Sequence, residues 1–462
     1  MNNLGQKLWN FCHILRHDGV DNSDYIEQLT YLLFLKMGDE RGADIPTGFD
    51  WQTLREKSGT DLLDHYALTL NTLQRQPGIL SKIYNSAMPR LANPQNLKRL
   101  INLIDEDDWT SLNVDVKGEA FEDLLERSAS EEKKGAGQYF TPRPLIHSIV
   151  RIMQPDPRPV KDFTICDPAC GTGGFLVAAY EWLMHETGGA IDRADIKRIK
   201  NQTYYGYELV PRPARLAMMN LFLHGVTSDV FIGDTIYEPF DKRGYDCILA
   251  NPPFGTKGAD QSPDRDDFMV TTTNKQLNFV QHILTALKKS GRAAIVLPDN
   301  VLFESKAGDV FEDLMKQANL HTILRLPRGT FTPYAQGVKA NVIFLQKGPA
   351  TDAVWIYDAR ANVPGFTKKD RPLTDKFFAD FEIAYGKDPN GRSQRTEGER
   401  FRRFSMADIK ARDYKLDITW LKDASLDDET TRAEPLELAT EAIHNLEGVI
   451  LDLKEIVKLL EA

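Results

Sequence analysis

From about residue 160 the chain repeats one pattern: a short apolar run ending in turn residues, then an amphipathic stretch, then another run. The runs are DFTICDP, TYYGYEL, DVFIGD, YDCILANPP, GRAAIVLPD, HTILRLP and KANVIFLQK, with GFLVAAYEWLMHE and PARLAMMNLFLHG between them. Strands that alternate with helices predict an α/β fold, a largely parallel sheet covered on both faces. Ligands of such sheets bind where the strands end. The main polar motifs of this chain fall there.

The flanks read differently. Up to about Arg127 apolar residues recur at helical spacing, as in YIEQLTYLLFLKMGDE and FEDLLERS, and strand-like alternation is scarce. The polar stretch SASEEKKGAGQ marks a boundary. From Ala384 to Arg403 the chain is polar and arginine-rich, which fits a solvated loop or a contact with nucleic-acid phosphate. The tail carries Leu436, Ala439, Ile443, Leu446, Ile450, Leu453, Val457 and Leu460 at spacings of three and four, a heptad seam. Such a stripe is buried either on this chain's own helices or in a coiled coil with another protein.

With 462 residues the chain is too long for one ordinary core. Its 42% hydrophobic and 27% charged residues are those of a globular protein. The opening MNNLGQKLWNFCHILRHDGV has no apolar run after a basic stretch, unlike a secretory signal, and no window is apolar enough to span a membrane. The few cysteines, Cys12, Cys166, Cys170 and Cys247, suit a reducing cytoplasm. Cys166 and Cys170 could be half of a metal site, but no matching Cys/His pair follows, so no metal is expected. A net charge of −10 argues against a protein that wraps DNA unaided, because neutralising phosphates takes surplus Lys and Arg.

Two constellations carry chemistry. The first is Asp167-Pro168-Ala169-Cys170-Gly171-Thr172-Gly173-Gly174-Phe175-Leu176, directly after the strand-like FTIC. Glycines at a strand-to-helix turn let a ligand approach the backbone. The spacing is not the dinucleotide GxGxxG, and the next strand-end acid, Glu208, comes about 35 residues on rather than about 20. An acid there suits the two hydroxyls of a ribose. Asp234, after the third strand, is placed to accept from an adenine amino group or to cap its own turn.

The second is Asn251-Pro252-Pro253-Phe254, after the fourth strand. Two prolines stop the strand and fix the backbone. Asn251 then offers a side-chain oxygen and Pro252 a main-chain carbonyl to one point, and Phe254 offers a flat face. Methylation of an exocyclic amine needs this set. The N6 lone pair of adenine is delocalised into the ring. Two acceptors on its N–H bonds pull the nitrogen toward tetrahedral geometry and free the lone pair for attack, with no metal or covalent intermediate. The bland alternative is a strand-ending turn.

On these residues the chain resembles the amino-methylating, S-adenosylmethionine-dependent methyltransferases, and within them the modification (M) subunits of type I restriction-modification systems. The resemblance covers most of the chain and follows the gamma order of motifs, cofactor first and catalytic second. It implies that Gln138, Tyr139, Phe140 and Thr141 contact the methionine part of S-adenosylmethionine. It implies that Asp167, Pro168, Gly171, Thr172, Gly173 and Gly174 cradle the cofactor, that Glu208 holds the ribose and that Asp234 lies near the adenine. Asn251, Pro252 and Phe254 become the catalytic residues. Gln276-Leu277-Asn278-Phe279 opens a helix lining the same pocket, and Phe331-Thr332-Pro333-Tyr334, Lys339-Ala340-Asn341 and Asp413-Tyr414-Lys415-Leu416-Asp417 resemble later family blocks. The chain is shorter than many such subunits, chiefly near its N-terminus.

The expected architecture is therefore a helical N-terminal domain over 1–128 and a Rossmann-like methyltransferase sheet over 129–383. A polar linker with short elements follows over 384–433, then a coiled-coil helix over 434–462. The expected activity is N6 methylation of adenine in a specific duplex DNA sequence. The target base must leave the stack to be reached, and the polar stretch from Gly255 to Lys275 is a candidate lid over it. The alternatives are a self-sufficient DNA adenine methyltransferase, an RNA or protein-glutamine N-methyltransferase, and a scaffold that kept the fold without the activity. A self-sufficient enzyme needs a base-reading domain, yet only 115 residues follow Lys347. That shortfall favours the coiled-coil reading of the tail. Its partner would be a specificity (S) subunit, two M to one S, with a restriction (R) subunit able to join.

Overall fold

The structure is a computed structural model that describes residues 3–21, 24–40, 42–109, 120–125, 140–227, 229–238, 243–254, 261–332, 338–367, 370–422 and 446. The heptad tail, apart from Leu446, lies outside these residues, as do Gln138 and Tyr139. The chain forms two compact units, one of Met1–Gly135 with Gly171–Gly173 and Val210–Val230, the other of Ala136–Cys170, Gly174–Leu209 and Phe231–Ala462.

The first unit is helical: Asn3–His17, Tyr25–Glu40, Trp51–Glu56, Gly59–Leu73, Ile79–Ile83 and Pro94–Asp105. Local chemistry sets the starts. The Asp50 side chain accepts from Thr53 N at 2.8 Å, and Asn93 caps the helix that Pro94 opens. The last helix buries Leu97, Leu100, Ile101 and Ile104, one face at helical spacing. Its final residue, Asp105, accepts from Lys36, from the Trp51 indole and from Arg55. Burial alone would raise this carboxyl, but the three donors hold it down to about 2.

The Pro211–Leu223 helix belongs to this unit, although in sequence it lies among the sheet strands. Phe222 packs on Phe34 with ring centroids 4.6 Å apart. Buried Arg215 pairs with Glu27, donates to the Asn85 carbonyl and lies 5.3 Å from the Tyr31 ring. The same helix meets the glycine turn: Asn220 Nδ2 donates to Thr172 O at 3.2 Å, and a Cβ on Gly173 would come within 3.3 Å of Ala217.

The second unit holds a nine-stranded sheet in the order β3-β2-β1-β4-β5-β7-β6-β8-β9. The strands are β1 Ile165–Asp167, β2 Tyr204–Glu208, β3 Val230–Ile232, β4 Tyr245–Ala250, β5 Leu287–Pro298, β6 Ala318–Arg325, β7 Ala340–Lys347, β8 Ala353–Asp358 and β9 Phe401–Ser405. β1 pairs in parallel with β2 and β4, and β4 with β5. Beyond β5 the sheet is mixed, since β7 runs antiparallel to both β5 and β6. Parallel neighbours need a long crossover, usually helical. No helix is seen among the described residues between β6 and β7, so that chain turns back instead. The core joins Cys166, Ile248, Ile295 and Ile343 of the sheet to Ile283 and Phe311 of the flanking helices.

Two strands lie beyond Lys347, where the sequence suggested the sheet ends. β8 pairs with β6, and β9 pairs antiparallel with β8 inside the stretch read as a polar linker. The arginine-rich stretch before β9 is tied down. Arg395 donates to Thr322 Oγ1 and lies over the Tyr385 ring, Arg392 meets Gln346, and Arg400 donates to the carbonyls of Asp358 and Ala361. These guanidiniums satisfy acceptors within the fold, which takes Arg395 and Arg400 out of the solvated-loop reading, while Arg392 stays exposed.

Candidate functional site

The expected site residues of the second unit gather at the carboxyl ends of β1 to β4. Asp167 ends β1 and is 2% exposed. Burial pushes its carboxyl up to about 8, the Ala169 amide works against that at 3.0 Å, and nearby Glu208 adds to the rise. Glu208 ends β2. Gly206, one turn of the pleat earlier, has no room for a side chain, since a Cβ would meet Cys170 Sγ at 2.9 Å. Cys170 N donates to Tyr207 O and Gly233 N to Glu208 O, at 2.9 and 3.1 Å. Those bonds lock the ends of β1, β2 and β3 together.

Asp234 fills the capping role considered for it. Its Oδ1 accepts from the amides of Ile236 and Tyr237 at 2.9 and 3.3 Å. Next to it, the Thr235 hydroxyl donates to Pro168 O at 3.3 Å. Three large apolar side chains around these acids stand exposed: Leu209, Ile232 and Tyr237. Nothing in the local sequence pattern singled them out, and their exposure is the signal. Gly171 and Gly173 have φ of +52° and +82°, a left-handed backbone that glycine adopts without strain. With Thr172 they are counted in the first unit.

At the end of β4, Asn251 Nδ2 donates to Thr141 Oγ1 at 2.7 Å. Asn251 Oδ1 is buried and meets no hydrogen-bond partner among the described residues. Thr141 thus orients the amide so that its acceptor is available, a role that sequence spacing did not reveal. Phe254 is 3% exposed and meets Phe331 edge-to-face, 5.2 Å between centroids at 85°. Gln276, at the start of the Lys275–Ala286 helix, donates to Pro253 O at 3.1 Å. The helix is capped by Asn274, whose side chain accepts from Leu277 N at 3.0 Å. Phe140 and Thr141 lie just before the Arg143–Met153 helix.

The candidate lid is only partly described. Gly255–Asp260 lie outside the described residues. Beyond them, Arg265 donates to Thr235 O, and Val270 and Gln281 exchange two hydrogen bonds of 2.9 Å. Gln261 to Lys275 are therefore fastened to the fold, and a swinging role does not extend to them.

The N-6 DNA Methylase family matches residues 112–429, and the HsdM N-terminal domain matches residues 4–106. The chain is 38% identical to the type I restriction enzyme EcoKI methylase subunit of Escherichia coli strain K12, over 100% of this chain and 96% of that one. It is 31% identical to the EcoEI methylase subunit of Escherichia coli over 88% of each. The solved EcoKI M protein matches with a TM-score of 0.57 at 34% identity, covering 100% of this chain and 97% of that one. A chain solved in work on assembly and conformational transition of the type I R-M system matches with a TM-score of 0.77 at 27% identity, covering 100% and 99%. A strand-end site built around NPPF, with family matches along nearly its whole length, places the chain in the N-6 DNA methylase family, among the methylase subunits of type I restriction enzymes.

Proposed function

We propose that the chain uses S-adenosylmethionine to methylate N6 of an adenine extruded from duplex DNA, with Asn251, Pro252 and Phe254 as catalytic residues. The observation that carries this is the Asn251 amide: its N–H side is held by Thr141, and its buried oxygen has no partner among the described residues. A buried acceptor left so is costly unless a donor arrives, and an adenine amino group is such a donor. With the Pro252 carbonyl taking the second N–H, the nitrogen loses its conjugation and its lone pair turns toward the methyl. Phe254, braced by Phe331, supports the base.

The residues at the ends of β1 to β3 fit the cofactor. Glu208, at the end of β2, is the acid placed for a ribose diol, and the exposed Leu209 and Ile232 offer apolar faces to an adenine. Asp234, with Oδ1 engaged in its turn, keeps its second oxygen for the adenine amino group. Asp167 is a buried acid beside a second acid, which favours a cationic ligand. Phe140, Thr141, Pro168 and the glycines from Gly171 to Gly174 are assigned to the same cofactor on their sequence motifs, as are Gln138 and Tyr139, which lie outside the described residues. Bound S-adenosylmethionine supplies an electrophilic methyl on a sulfonium; the chain's part is to orient it and to hold the amine in line.

Site choice belongs to a specificity subunit, with two M subunits per S and a restriction subunit able to join, all acting in the cytoplasm. The deciding experiment compares Asn251→Ala and Phe254→Ala with the parent. Methyl transfer to DNA should fall at least about a hundredfold, as on losing an electrostatic contact to the transition state, while calorimetric affinity for S-adenosylmethionine stays unchanged. Undiminished transfer in Asn251→Ala would overturn the assignment.

A further inference from the structure

Thr235 joins three strand ends. Its hydroxyl reaches Pro168 O, after β1, at 3.3 Å, and its own carbonyl receives Arg265 Nη1 at 3.1 Å. Arg265 comes from the segment that follows the target motif, eleven residues after Phe254. Its Nε and Nη2 each lie 2.6 Å from an oxygen of Asp267, and its guanidinium is 4.3 Å from the Phe268 ring centroid. The side chain is 9% exposed. Close by, the Tyr237 hydroxyl donates to Gln261 O at 3.1 Å. Two hydrogen bonds therefore join the turn that carries Asp234 to the segment that carries on from Asn251–Phe254.

We propose that Arg265 is a positioning residue for the cofactor: by holding the Thr235 carbonyl it fixes the turn that presents Asp234. This rests on the reading of Glu208 and Asp234 as cofactor residues. A buried guanidinium needs its N–H groups satisfied. Asp267 takes two of them, and the planar fork aims a third at Thr235 O. Lysine has no such fork and cannot meet both acceptors at once in that geometry. The turn's own bonds, from Asp234 Oδ1 to Ile236 N and Tyr237 N, shape it but do not anchor it. Thr235 and Arg265 do, together with the Tyr237 hydroxyl and the Gly233 amide. Gln261 and Arg265 thereby brace the adenine-side turn from the far side of the target motif.

The test uses the full chain and the variants Arg265→Lys and Arg265→Ala. Titration calorimetry with S-adenosylmethionine should show both variants about tenfold weaker, the scale of one charge-assisted hydrogen bond. With the specificity subunit present, KM for S-adenosylmethionine should rise likewise, while kcat at saturating cofactor stays within about twofold. A role limited to the Asp267 ion pair predicts otherwise, since Arg265→Lys keeps the charge. Parent-like binding by Arg265→Lys would overturn the proposal, and that variant decides the matter if Arg265→Ala fails to fold. Glu208→Ala runs in the same titration. If it weakens binding while Arg265→Lys does not, only this inference falls; if it has no effect, the cofactor reading falls and takes the inference with it.

Discussion

Asp167 shows what the strand ends demand of single residues. Burial and the neighbouring Glu208 push its carboxyl up to about 8, far above the ordinary carboxylate value. In the folded chain without ligand, Asp167 therefore keeps a proton that the unfolded chain gives up in the acid range. Its contribution to stability is full at low pH and is lost as pH rises toward about 8. Asp167→Asn cannot ionise, so in urea titrations it should gain stability over the parent as pH rises across that window. A cationic ligand reverses the preference. Binding of S-adenosylmethionine near neutral pH should expel a proton, seen as a binding enthalpy that changes with the ionisation heat of the buffer. A buffer-independent enthalpy would contradict this. Glu208→Ala should weaken the same binding by about 1.5–3 kcal/mol for each charge-assisted hydrogen bond lost. The positions of these acids, and of Asn251 and Phe254, were legible because strand-end motifs are local in sequence. Their supports were not. Thr141 lies 110 residues from the Asn251 it orients, and Phe331 comes 77 residues after the Phe254 it braces.

At the level of elements, seven apolar runs were readable as strands because each is short and ends in turn residues. β8 and β9 were not. AVWIYD offers only two buried aliphatic positions on its inner face, and FRRFS is an edge strand whose adjacent arginines look like loop. The allegiance of the Pro211–Leu223 helix was also hidden, because PARLAMMNLFLHG reads equally well as a helix covering a sheet. Phe222 and Arg215 decide it through Phe34, Glu27 and Tyr31. Arg215→Ala should leave the partly exposed Glu27 without its counter-charge and cost about 1–3 kcal/mol. The readout is a lower urea midpoint for the helical signal with an unchanged slope; an unmoved midpoint would mean that the pair adds nothing to the unit.

For the whole molecule the decisive quantities are charge and the heptad tail. The net charge of −10 argues against a chain that wraps DNA unaided. No helix among the described residues is long and apolar enough to cross a membrane. The seam from Leu436 to Leu460 remains the candidate dock for the specificity subunit. Removing residues from Glu434 onward should leave S-adenosylmethionine binding intact and abolish both co-purification with that subunit and sequence-specific methylation. Charge substitutions at Leu446 and Leu453 together should do the same, whereas unchanged assembly would reduce the tail to an internal packing helix. The most direct measurement is the chemical identity of the product. Duplex DNA incubated with the chain, its specificity subunit and S-adenosylmethionine, then digested and analysed by mass spectrometry, should yield N6-methyladenine. Methylcytosine, or methyl groups found only on RNA or protein, would contradict the account.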